Sequence, residues 1–164
     1  MANTCCYEMK VVGRTKKSLV RLINILSYRD DKFCLSRVYT VSYHCDKIRK
    51  DGLWSVELFG TCAWSTESWF IPDNKNKNTL YTYGKHFKGY TGPVYSVFSD
   101  ICRDLDIGVE VYSCDEMGGI QEHNLTNHLG RTVIHMVDYI SDFESVSKGG
   151  YKKYGEFLDN KSIY

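Results

Sequence analysis

An α+β fold, with one antiparallel sheet and two helices on one of its faces, is what this chain of 164 residues predicts. Three features carry that reading. Short segments alternate apolar and polar residues with the period of a half-buried strand. Two other segments repeat apolar residues at the i, i+3, i+4, i+7 spacing of an amphipathic helix. Between them lie glycine-containing turns, of which Lys50-Asp51-Gly52 and Gly118-Gly119 are the clearest.

Cys5 to Val12 alternates as a first strand, and Gly13 ends it. Thr15 is a good N-cap for a helix running to about Tyr28, with Leu19, Leu22, Ile23 and Leu26 as its buried stripe. Asp30-Asp31 closes that helix into a loop. Two strands follow, Ser36 to Cys45 and Leu53 to Trp64, joined through the Asp-Gly pair typical of hairpin turns. Trp64 to Phe70 predicts a short helix stopped by Pro72, and Asp73 to Thr79 a polar loop. Leu80 to Tyr90 reads either as an irregular strand or as an aromatic loop. Pro93 opens the second helix, with Val94, Val97, Phe98, Ile101 and Leu105 on its buried side through Asp106. Strands at Ile107 to Cys114, Ile120 to Thr126 and Thr132 to Tyr139 complete the pattern, the last two turning through Asn127-His128-Leu129-Gly130.

The order strand, helix, strand, strand, helix, strand is the split βαβ, ferredoxin-like arrangement, here with an extra C-terminal hairpin. Residues 1–140 form that domain. Residues 141–164 are polar, with Gly149-Gly150 and the aromatic-basic run Tyr151 to Phe157, and read as a loosely attached appendage or short helix. One sheet face is left without helices.

Three segments carry a resemblance. They are Gly60 to Ser65 (GTCAWS), the opening MANTCCYEMKVVG, and Glu110 to Leu125 (EVYSCDEMGGIQEHNL) after a helix that ends in Leu-Asp-Ile. Together they resemble the YubB-like ferredoxin-fold family of small proteins from phages and Gram-positive mobile elements. The resemblance spans most of residues 1–140 and fades in the tail. It implies a ferredoxin-like fold and a phage or mobile-element origin; it implies no reaction and no catalytic residue. The basic first helix and the Lys/Asn-rich loop depart from the family pattern, so a shared fold does not carry a shared partner.

The formal net charge is +1, which gives no global electrostatic footprint for nucleic acid. The charge is unevenly placed. Ten Lys/Arg stand against four Asp from Arg14 to Asp51, and seven Asp/Glu against Arg103 alone from Asp100 to Glu122. A positive and a negative face follow from that segregation. The N-terminal segment has no apolar stretch of secretory type, and no apolar run approaches the roughly 20 residues that span a bilayer. Seven cysteines without a regular framework read as reduced thiols. The expected location is the cytoplasm of a bacterial host cell, with no membrane contact.

Chemistry is sparse. No Cys-x-x-Cys pair and no phosphate-cradling glycine loop occurs, so neither a structural metal nor a nucleotide cofactor is expected. A cysteine- or metal-dependent enzyme would have to use Cys62 with His86 or His123, or Cys114 with Glu116 and His123. The bland reading is that Glu116, Gln121, Glu122 and His123 form a structural polar cluster bracing the glycine turn. Binding is the favoured class. Trp64, Trp69, Tyr81, Tyr83, His86 and Phe87 are the amphipathic types that anchor interfaces. Lys16, Lys17 and Arg21 add a basic patch on the first helix. The partner class is a host protein or nucleoprotein complex, and a defence inhibitor such as an anti-CRISPR protein fits the implied origin. Single-stranded nucleic acid is the alternative, because aromatics and bases interleave from Tyr81 to Tyr90.

Overall fold

Alternation along Thr4–Gly13 turns Cys5, Tyr7, Met9 and Val11 to one side, and all four are buried. This strand, β1, is the middle of the fold. The computed structural model describes residues 4–27, 29, 38–43, 47–63, 66, 98–115, 120–139 and 163–164. After β1 come α1 (Lys16–Leu26), β2 (Val38–Tyr43), β3 (Lys47–Ile48), β4 (Trp54–Ala63), α2 (Phe98–Leu105), β5 (Ile107–Asp115), β6 (Ile120–Thr126) and β7 (Thr132–Tyr139). The described strands make one seven-stranded sheet in the order β2-β4-β1-β5-β6-β7, with β3 also on β4. Every neighbouring pair is antiparallel. The chain is thus an α+β protein.

Helix α1 starts, and both described helices bury, as their residues dictate. Thr15 caps α1 by accepting a hydrogen bond from the Ser18 amide at 3.1 Å. The buried stripe of α1 is Leu19, Leu22, Ile25 and Leu26, with Ile23 only partly buried. The stripe is therefore turned about one residue from the expected one, toward Ile25, which lies three positions after Leu22. In α2, Phe98, Ile101, Cys102 and Leu105 face inward, and Arg103 bonds Asp100 one turn back at 2.7 Å. The expected start of this helix at Pro93, with Val94 and Val97, lies outside the described residues. Both helices pack on the same sheet face, against Tyr7, Met9, Val56, Leu58, Val109 and Val111. Each large apolar side chain closed off there contributes about 1.5–3 kcal/mol.

The hairpin between β3 and β4 forms where the Asp-Gly pair places it. Gly52 takes a φ of 82°, in the left-handed region that glycine tolerates best. The Arg49 amide bonds the Leu53 carbonyl at 2.7 Å, and the Gly52 amide bonds the Arg49 carbonyl at 3.0 Å. The two-residue strand β3 was not expected from the sequence, because two residues carry no readable alternation.

The helix-free face is not uniformly open. Over β5 and β6 it carries Glu110, Tyr112, Gln121, His123 and Leu125, all buried. Part of the cover is the pair Ile163 and Tyr164. The Ile163 carbonyl oxygen occupies the position that a Cβ on Gly108 would take, and Ile163 itself is buried. Tyr164 stacks on His128 with ring centroids 4.3 Å apart, and its hydroxyl oxygen accepts from Arg14 Nε at 2.8 Å. Residues 140–162, which include most of the expected appendage, lie outside the described residues. Toward β4 the same face opens, and Phe59 is 40% exposed there.

Burial of acidic hydrogens in this core has a pH consequence. Burial pushes up the Cys102 thiol and the Tyr7 phenol, and the hydrogen bond with Cys62 together with burial pushes up Cys5. In the unfolded chain these groups titrate near their ordinary values of 9.0 and 10.0. Above about pH 9 the unfolded state therefore releases protons that the folded state keeps, and stability falls as pH rises, by up to about 1.4 kcal/mol per pH unit for each group. Urea unfolding measured from about pH 8 to pH 11 should show a steadily falling midpoint. A midpoint independent of pH across that range would contradict this account.

Candidate functional site

Antiparallel pairing sets Tyr112 opposite His123 and Ser113 opposite Glu122. Because successive strand residues point to opposite faces, the neighbours Glu122 and His123 part company. They do not form one cluster at the turn, as the sequence suggested. Two buried polar groups result, one on each side of the sheet.

On the helix side, one carboxylate oxygen gathers three donors. Glu122 Oε2 accepts from the Thr66 amide at 2.8 Å, the Thr66 hydroxyl at 2.7 Å and the Ser113 hydroxyl at 2.5 Å. Thr66 is fully buried, so this node ties the chain beyond β4 to the middle of β6. On the other side, Glu110 Oε1 accepts from the Tyr112 hydroxyl at 3.1 Å and lies 2.9 Å from His123 Nε2. The Tyr112 and His123 rings stack at 4.1 Å and 10°. Burial and then the Glu110 charge push the Tyr112 phenol above its ordinary range. A His–carboxylate hydrogen bond was expected here, but its carboxylate is Glu110, two positions before Tyr112. That partner is legible only once the register is known. These groups brace strands; among them Gln121 is buried on the His123 side, and Glu116 lies outside the described residues.

The pairing of Cys62 with His123 is overturned by the same alternation, and His86, the other expected partner, lies outside the described residues. Cys62 sits opposite Cys5 on the helix-covered face, whereas His123 points to the other. Cys62 is fully buried, and the neighbouring Cys5 thiol is pushed up by its hydrogen bond with Cys62 and by burial. Among the described residues, no three His, Cys, Asp or Glu side chains are placed to share a metal ion. The described residues also contain no helix long and apolar enough to cross a membrane.

Of the expected binding residues, Trp64, Trp69, Tyr81, Tyr83, His86 and Phe87 lie outside the described residues. Lys17 is exposed and Arg21 half-buried on α1. Lys16 Nζ lies 5.5 Å from the centre of the Trp54 ring, a cation–π contact that turns it toward the strand. Exposed large apolar side chains stand elsewhere, along the β2–β4 edge. Tyr43 on β2, Ile48 on β3 and Phe59 on β4 are 57%, 62% and 40% exposed. Strands β2 and β3 each pair with β4, and register puts Phe59 on the helix-free face and Tyr43, opposite Leu58, and Ile48, opposite Trp54, on the other. Phe59 was legible. It shares the outward phase of Ser55, Glu57 and Thr61, opposite to that of Val56 and Leu58.

Comparison of the chain with family models, with curated proteins and with solved structures finds no match. The geometry of this edge therefore carries the functional reading.

Proposed function

We propose that this is a phage or mobile-element accessory protein that acts by docking its β2–β4 edge onto a host protein or nucleoprotein complex, as a defence inhibitor such as an anti-CRISPR protein. The carrying observation is that this one edge leaves large apolar side chains exposed on both of its sides, Phe59 on the helix-free face and Tyr43 and Ile48 on the other. Large apolar and aromatic side chains left in water on adjacent strands are what interfaces recruit. Lys47 and Lys50 rim the same edge, which suits an acidic partner surface.

The lineage rests on the segments Gly60 to Ser65 and Glu110 to Leu125, which resemble the YubB-like family. The ferredoxin-like assignment is supported by the order β2-β4-β1-β5, with α1 following β1 and α2 preceding β5. In that reading β6 and β7 extend the sheet beyond its last ferredoxin-like strand.

A Tyr43→Asp, Ile48→Asp, Phe59→Asp triple variant tests the proposal. Wild-type protein should retain a defined partner from a bacterial lysate, and the variant should lose it at least tenfold. Expression in a host with an active CRISPR nuclease should raise plating of a targeted phage, and the variant should not. Equal capture by both proteins, or equal plating, counts against this edge.

A single-stranded nucleic-acid partner is the second reading. The observation favouring it is Phe59, an aromatic half-exposed on the helix-free face of β4, where a base can stack.

A further inference from the structure

The β3–β4 turn folds around one arginine. Arg49 Nε lies 3.1 Å from Asp51 Oδ2, and Arg49 Nη2 is also 3.1 Å from that oxygen. Asp51 Oδ1 in turn accepts from the Leu53 amide at 3.1 Å. Two backbone bonds, Arg49 to Leu53 and Gly52 to Arg49, close the turn around the pair. The Arg49 side chain is only 19% exposed, and its third nitrogen, Nη1, is buried with no hydrogen-bond partner. A guanidinium fixed on one edge, with a donor held ready on the other, is preorganised for a planar or tetrahedral oxyanion.

The surroundings agree in sign. A groove of about 490 Å³ opens beside Arg49, lined by Lys10, Lys47, Lys50, Asp51 and the buried Ser55 hydroxyl. Glu57 and Glu110 flank Lys10 in register on β4 and β5, so its charge is offset. Asp51 takes up half of the Arg49 fork. Lys47 and Lys50 remain as the uncompensated rim among the described residues.

We propose that this groove binds a phosphate group, with Arg49 Nη1 and the Lys47 and Lys50 ammonium groups as its donors, and that the phosphate belongs to a nucleic-acid backbone or to a free nucleotide. The inference rests on the reading that the β2–β4 edge is the binding face, and it gives that face a ligand chemistry. A strand seated there would run its phosphates past Arg49 and carry its bases toward Phe59.

Fluorescence anisotropy on the whole chain tests it, with a labelled single strand of about 15 nucleotides and with ATP and inorganic phosphate as competitors. Three phosphate contacts give a slope of about −2 for log K against log salt between about 50 and 200 mM. Lys47→Ala with Lys50→Ala should lower affinity at least tenfold and bring the slope toward about −0.7. Arg49→Lys, which keeps the charge but loses the fork, should lower it about fivefold. The lysine variants should melt with the wild type, since both residues lie on the surface. Competition by ATP at low concentration assigns the site to free nucleotides; competition only by longer strands assigns it to nucleic acid. Absence of binding to strand, ATP and phosphate, or binding that the lysine variants leave unchanged, overturns the groove. Partner capture that fails in Phe59→Asp but survives in the lysine variants keeps the binding face and removes only the phosphate. Lysine-dependent strand binding without any captured partner does the reverse.

Discussion

Gly108→Val is expected to lower stability by about 3 kcal/mol, a fall in Tm of about 6–12 °C for a chain of this size. The backbone at Gly108 is not the obstacle, because it carries no positive φ. The obstacle is the Ile163 carbonyl, which stands where the first side-chain carbon must go. Backbone on one side and a central strand on the other cannot both yield, so residues 163–164 must leave. Their departure exposes Ile163, a loss of about 1.5–3 kcal/mol, and breaks the Tyr164 hydrogen bond to Arg14, about 1 kcal/mol more. Calorimetry gives the first number. The ring-current shift on His128 from the stacked Tyr164 gives a second, independent readout by NMR. A variant that melts within a degree or two of wild type, with the His128 resonances unmoved, would show that residues 163–164 do not lie on Gly108.

Glu122→Ala should cost at least about 3 kcal/mol, because it strands the Thr66 amide and two hydroxyls in a buried site, each at about 1–3 kcal/mol before relaxation. Glu122→Gln keeps the volume and one acceptor oxygen, and its loss should be about half as large. Urea unfolding of the two variants beside wild type checks both the size and the order. An alanine variant within about 0.5 kcal/mol of wild type would remove Glu122 from the scaffold and reopen it as a group held for another purpose.

The two substitutions probe features of unequal legibility. Strands β6 and β7 matched their expected bounds to the residue, and the Asp51-Gly52 turn and the Thr15 cap were equally plain. Each is written in a local signal: alternation, a turn pair, a capping hydroxyl. The helix stripe was off by one position because Ile23 and Ile25 are chemically alike, and only the packed sheet chooses between them. Nothing local announces that Thr66 reaches Glu122, 56 residues away, or that Ile163 closes over Gly108. Nor does sequence spacing reveal that Glu122 and His123 serve opposite faces; only strand register does. Phe59 was available from its phase alone. One outward phenylalanine is a weaker signal in the sequence than the aromatic-rich segment from Tyr81 to Tyr90.

The position of β1 has a kinetic consequence. Its two neighbours are β4 and β5: Cys5 pairs with Cys62 and with Asp115, 57 and 110 residues along the chain, separations that slow folding through loop-closure entropy. The strand at the centre of the sheet is therefore the one that must wait longest for its hydrogen bonds. While it waits, a ribbon carrying Tyr7, Met9, Val11 and Val12 has two open edges. Folding on the slow side of milliseconds, and aggregation nucleated at Thr4–Gly13 when folding is interrupted, belong to this topology.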